Sequence, residues 1–187
     1  MCGVRPIPGA ALPQAPFVIY SNHSSHMDFA VIWSSLPDSI RASVRPVAGR
    51  DYWERSGLRR WLARSVFNAV LIERNRITVA TNPLEPLMSA IADGFSLIVF
   101  PEGTRSASGD LQPFKGGIFH IAQRRPSTPF VPVLLDNLNR ILPKGEMLPV
   151  PMIATIAVGT PLFLAEREAK AAFLERARRA LESLHAS

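Results

Sequence analysis

The chain has 187 residues, 47% of them hydrophobic and 19% charged, with one cysteine and a net charge of +6. That length suits a single domain with a substantial core and cramps two, the composition excludes a disordered chain, and the lone Cys2 excludes an intramolecular disulfide or a thiolate metal cluster. Lys115, Lys144 and Lys170 are the only lysines, so the basic excess is arginine, whose planar fork suits nucleic acid, anionic lipid or a phosphorylated or coenzyme-bearing substrate.

In chain order, Met1 to Pro16 is rich in proline, lacks the charged start and apolar run of a signal peptide, and reads as a loose arm or the cut end of something longer. Phe17 to Tyr20 suits a buried strand, Phe29 to Leu36 a helix ended by Pro37, and Val44 to Ala48 a brief strand. From Asp51 to Phe67, Trp53, Leu58, Trp61, Leu62 and Val66 recur at helical spacing, with Gly57 weakening the middle. The tryptophans read as core or interface anchors rather than a cofactor box, and with Arg59, Arg60 and Arg64 the helix also has the composition of an interfacial one.

Ala69 to Ile72 reads as a strand, and Asn82-Pro83-Leu84-Glu85 as a helix start whose helix Gly94 stops. Phe95 to Phe100, apolar apart from Ser96, is a strand covered on both faces. A polar loop from Pro101 to Pro113, a short helix from Gly116 to Arg124 and a strand from Phe130 to Leu135 follow. A proline-punctuated connection from Leu142 to Pro151 leads to a strand over Ile153 to Val158, and a helix from about Ala165 to His185 closes the chain. Strands alternating with helices predict a single α/β domain over residues 17–187, with a mainly parallel central sheet flanked by helices. Ligands then belong beyond the carboxyl ends of the strands, just after Tyr20, Ile72, Phe100 and Leu135.

Polar clusters stand at those places. His23 and Asp28 follow the first strand, Glu73 and Arg74 the third, and Glu102-Gly103-Thr104-Arg105-Ser106 the strand ending at Phe100. Imidazole titrates near neutrality, and a carboxylate beside it is the usual means of fixing its tautomer. Residues five apart on a regular helix diverge by about 140°, so His23 must precede the helix while Asp28 points back from its first turn. Ser25-His26-Met27-Asp28 also fits a capping box, which makes Asp28 equally an N-terminal cap. Lys115 beside Gly116 and Gly117 at a helix start forms an anion site or simply a tight turn. Together Arg74, Arg105 and Lys115 suit a phosphate while His23 takes a proton from a neighbouring hydroxyl, which supports attack by an alcohol on an activated acyl group. A serine or cysteine acyl-enzyme is not expected, because no Gly-x-Ser-x-Gly elbow is present and Cys2 lies in the arm.

Asn22-His23-Ser24-Ser25-His26-Met27-Asp28 resembles the NHxxxxD block of the glycerolipid acyltransferases, the family of 1-acylglycerol-3-phosphate (lysophosphatidic acid) acyltransferases, and Phe100 to Ser106 matches that family's FPEGTRS block. Gly49 with Ile72-Glu73-Arg74 is similar to its second block and Val131-Pro132-Val133 to its fourth. The resemblance implies His23 as general base and Asp28 as its partner. It implies that Arg74, Glu102, Gly103, Thr104 and Arg105, with Lys115 as a weaker candidate, bind or position the phosphorylated acceptor, and that Pro132 shapes the acyl side. It further implies acyl-CoA or acyl-carrier protein as donor, 1-acylglycerol-3-phosphate or another lysolipid such as a lyso-ornithine lipid as acceptor, no metal or other cofactor, and peripheral contact with an anionic membrane on its cytoplasmic side. Two other classes stay open: a metal-dependent phosphohydrolase on His23, His26 and Asp28, and a non-catalytic basic domain binding nucleic acid or lipid.

Overall fold

Alternation of apolar residues with period two puts one set on each face of a sheet, and the computed structural model shows both faces covered. It describes residues 12–25, 28–74, 81–106, 109–136 and 155–186. Six strands, β1 (Val18–Ser21), β2 (Val44–Gly49), β3 (Val70–Ile72), β4 (Ser96–Val99), β5 (Phe130–Asp136) and β6 (Thr155–Val158), make one sheet in the order β3-β2-β4-β1-β5-β6. All neighbours run parallel except β5 and β6, an antiparallel edge pair with Val133 opposite Val158. The expected strands are therefore present, each within two residues of its sequence bounds, and the sheet is mainly parallel as predicted. The proline-rich connection from Leu142 to Pro151 lies outside the described residues.

On one face, Val18, Tyr20, Leu97, Val99, Phe130 and Leu134 pack under α5 (Leu84–Ala92), α6 (Gly117–Arg124) and α7 (Lys170–Glu182). The intervening residues Phe17, Ile19, Ile98, Val131, Val133 and Leu135 face α1 (Asp28–Ser35) and the short α2 (Asp38–Arg41) through Ile32, Leu36 and Ile40. The arm is described from Leu12, which packs against this second layer. Ser96, the polar exception in its strand, is buried and its hydroxyl accepts the Phe17 N–H at 3.1 Å, so the exception closes the sheet's bottom edge. Tyr20 donates its hydroxyl to the Ala177 carbonyl at 3.1 Å, pinning α7 to β1, and burial pushes the phenol above its ordinary pKa.

The expected helix from Asp51 to Phe67 is broken. It becomes α3 (Arg50–Trp53), α4 (Gly57–Trp61) and a π-helical turn over Leu62–Val66. The first helix ends at Trp53 with Glu54 as its C-cap, Ser56 caps the next with its hydroxyl accepting the Arg59 N–H at 3.3 Å, and a glycine such as Gly57 costs about 1 kcal/mol in a helix interior. The π turn ends when the Phe67 N–H reaches the Leu62 carbonyl at 3.0 Å, five residues back, before Asn68 turns left-handed at φ 47°. No helix among the described residues is long and apolar enough to cross a membrane.

Candidate active site

The carboxyl ends of β1, β3 and β4 deliver their polar clusters to one side of the sheet, where a cavity of about 810 Å3 opens. His23 leaves β1 through Asn22, whose side chain donates to the Leu135 carbonyl at 2.8 Å and accepts the Leu135 N–H at 2.9 Å. The His23 Nδ1 lies 2.7 Å from Asp28 Oδ2. That same oxygen accepts the Ser24 and Ser25 N–H groups at 2.7 and 2.9 Å, so Asp28 caps the turn before α1 and orients the imidazole at once. Asp28 is buried, while the His23 side chain keeps 22% exposure and lines the cavity. Since Nδ1 faces a carboxylate, it carries the proton in the neutral ring and Nε2 is the basic nitrogen. Phe100 stacks on the imidazole with centroids 4.3 Å apart and planes 19° apart, which fixes the ring's plane.

Glu102 holds this loop from below. One oxygen accepts the His23 N–H at 2.7 Å, the other the Gln112 N–H at 3.1 Å, and the residue is 2% exposed. Burial holds its carboxyl above the usual range, and the two N–H groups pull against that rise. The return bond, Ser106 N–H to the His23 carbonyl at 2.8 Å, completes a brace between the two loops. Glu102 is thus spent on the protein's own backbone, which differs from the expectation that it meets the acceptor.

Gly103, Thr104, Arg105 and Lys115 all line the cavity. Gly103 takes φ +71°, and a Cβ there would stand 2.8 Å from Lys115 Nζ, so the lysine crosses the glycine's open side. The Lys115 N–H is tied to the Pro101 carbonyl at 2.8 Å. Neither Arg105 nor Lys115 has an acidic partner among the described residues. Arg74 also lines the cavity but is held by Asp51, with Nε and Nη2 contacts of 2.9 to 3.1 Å, across the bare α-carbon of Gly49. Pro132, expected to shape the acyl side, is instead buried in β5 opposite Tyr20, with its ring against Gly159, and does not line the cavity.

Phe29, Trp53 and Phe67 make part of the cavity's lining aromatic. Phe67 lies at 4.9 Å from Phe29, 5.5 Å from Trp33 and 6.5 Å from Trp53, all edge-on. Trp53 therefore packs against this ring cluster while Trp61 stays exposed. His26 lies outside the described residues, and among those described no three His, Cys, Asp or Glu side chains gather closely enough to hold a metal.

The profile of the acyltransferase family matches residues 7–136, more than half of the sequence. The chain belongs to that family. The acyltransferase domain is 34% identical over 137 residues to mouse 1-acyl-sn-glycerol-3-phosphate acyltransferase alpha, an alignment covering 72% of this chain and 45% of the relative. It is 28% identical over 152 residues to a 1-acyl-sn-glycerol-3-phosphate acyltransferase of Limnanthes alba, covering 78% of this chain and 50% of that one. The crystal structure of the 1-acyl-sn-glycerophosphate (LPA) acyltransferase PlsC from Thermotoga maritima superposes with a TM-score of 0.76 at 25% identity, covering all of this chain and 73% of that one. The domain thus spans about half the length of the curated relatives it matches.

Three contributors to the site escaped the sequence reading. Asp51 is an acid in a helical stretch and carries no mark of the arginine 23 residues on that it binds. Gln112 acts through a backbone N–H, which no motif spells out, and Phe100, although it opens the FPEGTRS block, acts through a ring face to which the block assigns no role.

Proposed function

We propose that the domain transfers a fatty acyl group from a thioester, acyl-CoA or acyl-carrier protein, to the free hydroxyl of 1-acylglycerol-3-phosphate, giving phosphatidic acid. The observation that carries this is a single cavity lined by His23, by the rings of Phe29, Trp53 and Phe67, and by Arg105 and Lys115, neither of which meets a carboxylate among the described residues. Each part has a chemical use. His23 Nε2 takes the hydroxyl proton as the oxygen attacks the thioester carbonyl; the tetrahedral intermediate then expels the thiolate, which recovers that proton from the imidazolium. The products are an ester and a free thiol, and no acyl-enzyme forms. Asp28 orients the ring and stabilises its charged form.

Arg105 and Lys115 hold the acceptor's phosphate, with Arg74 contributing from its Asp51 clamp. Glu102 acts as a positioning residue, setting the His23 loop without touching substrate. The aromatic lining takes the acyl chain, in place of the role expected of Pro132. The names of the aligned relatives support the acceptor.

The test is a product assay with a panel of lysolipids and both donor types, run beside His23→Ala. Phosphatidic acid should form, and His23→Ala should lose roughly 10²- to 10⁴-fold in kcat with lysolipid binding retained. Full activity in the variant would remove His23 from the mechanism. Preference for a lyso-ornithine lipid, which carries no phosphate, would overturn the acceptor assignment.

A further inference from the structure

The break in the expected 51–67 helix gives the α4 and π-turn segment two apolar sides. Ala63, fully buried, and Phe67 face the cavity with the aromatic cluster. On the other side Leu58, Trp61 and Val66 are 67%, 56% and 38% exposed, the most exposed large apolar residues described in the molecule besides Phe163. Isolated exposed apolar residues need no explanation, but three within nine residues at helical spacing form a patch.

The charge around this patch is one-sided. Residues 50–66 hold Arg50, Arg55, Arg59, Arg60 and Arg64 against Asp51 and Glu54, five positive charges against two negative, or +3. Both acids are engaged, Asp51 by Arg74 and Glu54 by Arg50 and Arg64. Arg59 lies over the Tyr52 ring at 4.4 Å, and Arg60 donates to the Glu54 carbonyl at 3.1 Å; neither meets a carboxylate among the described residues.

We propose that Leu58, Trp61 and Val66 insert into the headgroup region of an anionic bilayer, with Arg59 and Arg60 on its phosphates, so that the cavity's aromatic lining stands on the membrane surface. Tryptophan and leucine flanked by arginine is the composition that settles at a lipid interface. A second copy of the chain fits this face poorly. A two-fold interface would set like arginines against each other, and three apolar side chains fall short of the roughly 800 Å2 per partner of a stable contact. The proposal deepens the acyl-transfer reading, since a lysolipid and its product both reside in a bilayer, and it names where the domain meets that bilayer.

The test is flotation of the 187-residue chain with vesicles of phosphatidylcholine alone, and with about a quarter of the lipid replaced by phosphatidylglycerol. Wild type should float with the anionic vesicles and be released by salt. The double variant Leu58→Asp with Trp61→Asp should lose roughly tenfold or more in partitioning while its circular dichroism is unchanged. Arg59→Gln with Arg60→Gln should abolish the preference for phosphatidylglycerol. Brominated lipid should quench wild-type tryptophan fluorescence, and Trp61→Phe should lose that quenching while still floating, a readout that survives if the aspartate variant misfolds.

Turnover of a short-chain acceptor below its micelle concentration should be the same in wild type and the aspartate variant, with loss confined to vesicle-borne acceptor. Activity without vesicle binding overturns the membrane proposal alone, and vesicle binding through Trp61 without acyl transfer overturns the catalytic reading alone. Equal binding to neutral vesicles removes the arginines' role, and a wild-type dimer that the aspartate pair splits replaces the bilayer with a second copy.

Discussion

The turn from Asn22 to Asp28 and the segment from Arg50 to Phe67 border one cavity, yet the first is held by hydrogen bonds to buried carboxylates, whereas the second packs inward through ring contacts and keeps its ion pairs and hydrogen bonds on exposed groups. In the turn, Asp28 takes N–H groups from Ser24 and Ser25 besides the His23 ring, and Glu102 and Ser106 fasten the His23 backbone from the other loop. In the segment, Phe29, Trp53 and Phe67 meet edge to face and α3 gives way to α4 at Ser56. Proton transfer tolerates errors of only a few tenths of an ångström, whereas a hydrocarbon chain is attracted to apolar area with little regard to direction. The construction of each region matches the precision its ligand demands.

The sharpest way to break that contrast is Asp28→Asn. An amide can keep its oxygen on the three N–H groups that Oδ2 accepts but loses the negative charge that stabilises the imidazolium, so kcat should fall by about 10²- to 10³-fold while circular dichroism and lysolipid binding change little. If activity survives, the turn is a helix cap and nothing more. Glu102→Gln comes next: its carboxamide accepts one N–H and confronts the other with a donor. The variant should lose about 1–3 kcal/mol in denaturant unfolding and lower kcat more than it raises KM. A change in KM alone would return Glu102 to substrate contact.

The aromatic side should respond more gently. Phe67→Ala is expected to change the acyl-chain preference by roughly three- to tenfold in kcat/KM, with kcat for the best donor nearly unchanged, because each buried methylene is worth about 0.8 kcal/mol. A loss as large as that of Asp28→Asn would mean the two regions are not separable. The smallest effect lies outside both. Arg176 donates to both Glu168 oxygens and holds that carboxyl below its usual range. A carboxyl with a lowered folded-state pKa contributes stability that is present above its unfolded value and lost as pH falls through the folded one. Glu168→Gln should therefore cost about 0.5 kcal/mol at neutral pH, discounted for the exposed arginine, and nothing in strong acid; thermal melts across pH 2 to 7 check it, with activity untouched.

The sequence made the sheet legible because a strand buried on both faces must be apolar at successive positions, as Phe95 to Phe100 and Phe130 to Leu135 are. It also made legible which edge carries the site, since parallel strands align their carboxyl ends and so bring His23, Arg74 and Glu102 together. What stayed hidden depends on direction within a loop. Glu102 looks like a ligand when read as a carboxylate after a strand; only the fold shows that it points inward to the His23 N–H. Pro132 looks like a wall residue until the alternation of β5 is set against β1 and Gly159. Helical spacing from Trp53 to Val66 survives a break at Ser56 and a π turn, so periodicity registered the faces and missed the interruption.

Asn22 presents to Leu135 a carbonyl and an N–H in the order a neighbouring strand would, one residue past the last paired position of β1. A side chain here impersonates a peptide group. The sheet's regular spacing is thereby carried one step into irregular chain, and His23 is measured off from β5 like a mark on a ruler. Aspartate, of the same shape, would set an oxygen against the Leu135 carbonyl, and glutamine would overshoot by a methylene. Of the twenty side chains, asparagine alone has both the reach and the paired polarity for that rung.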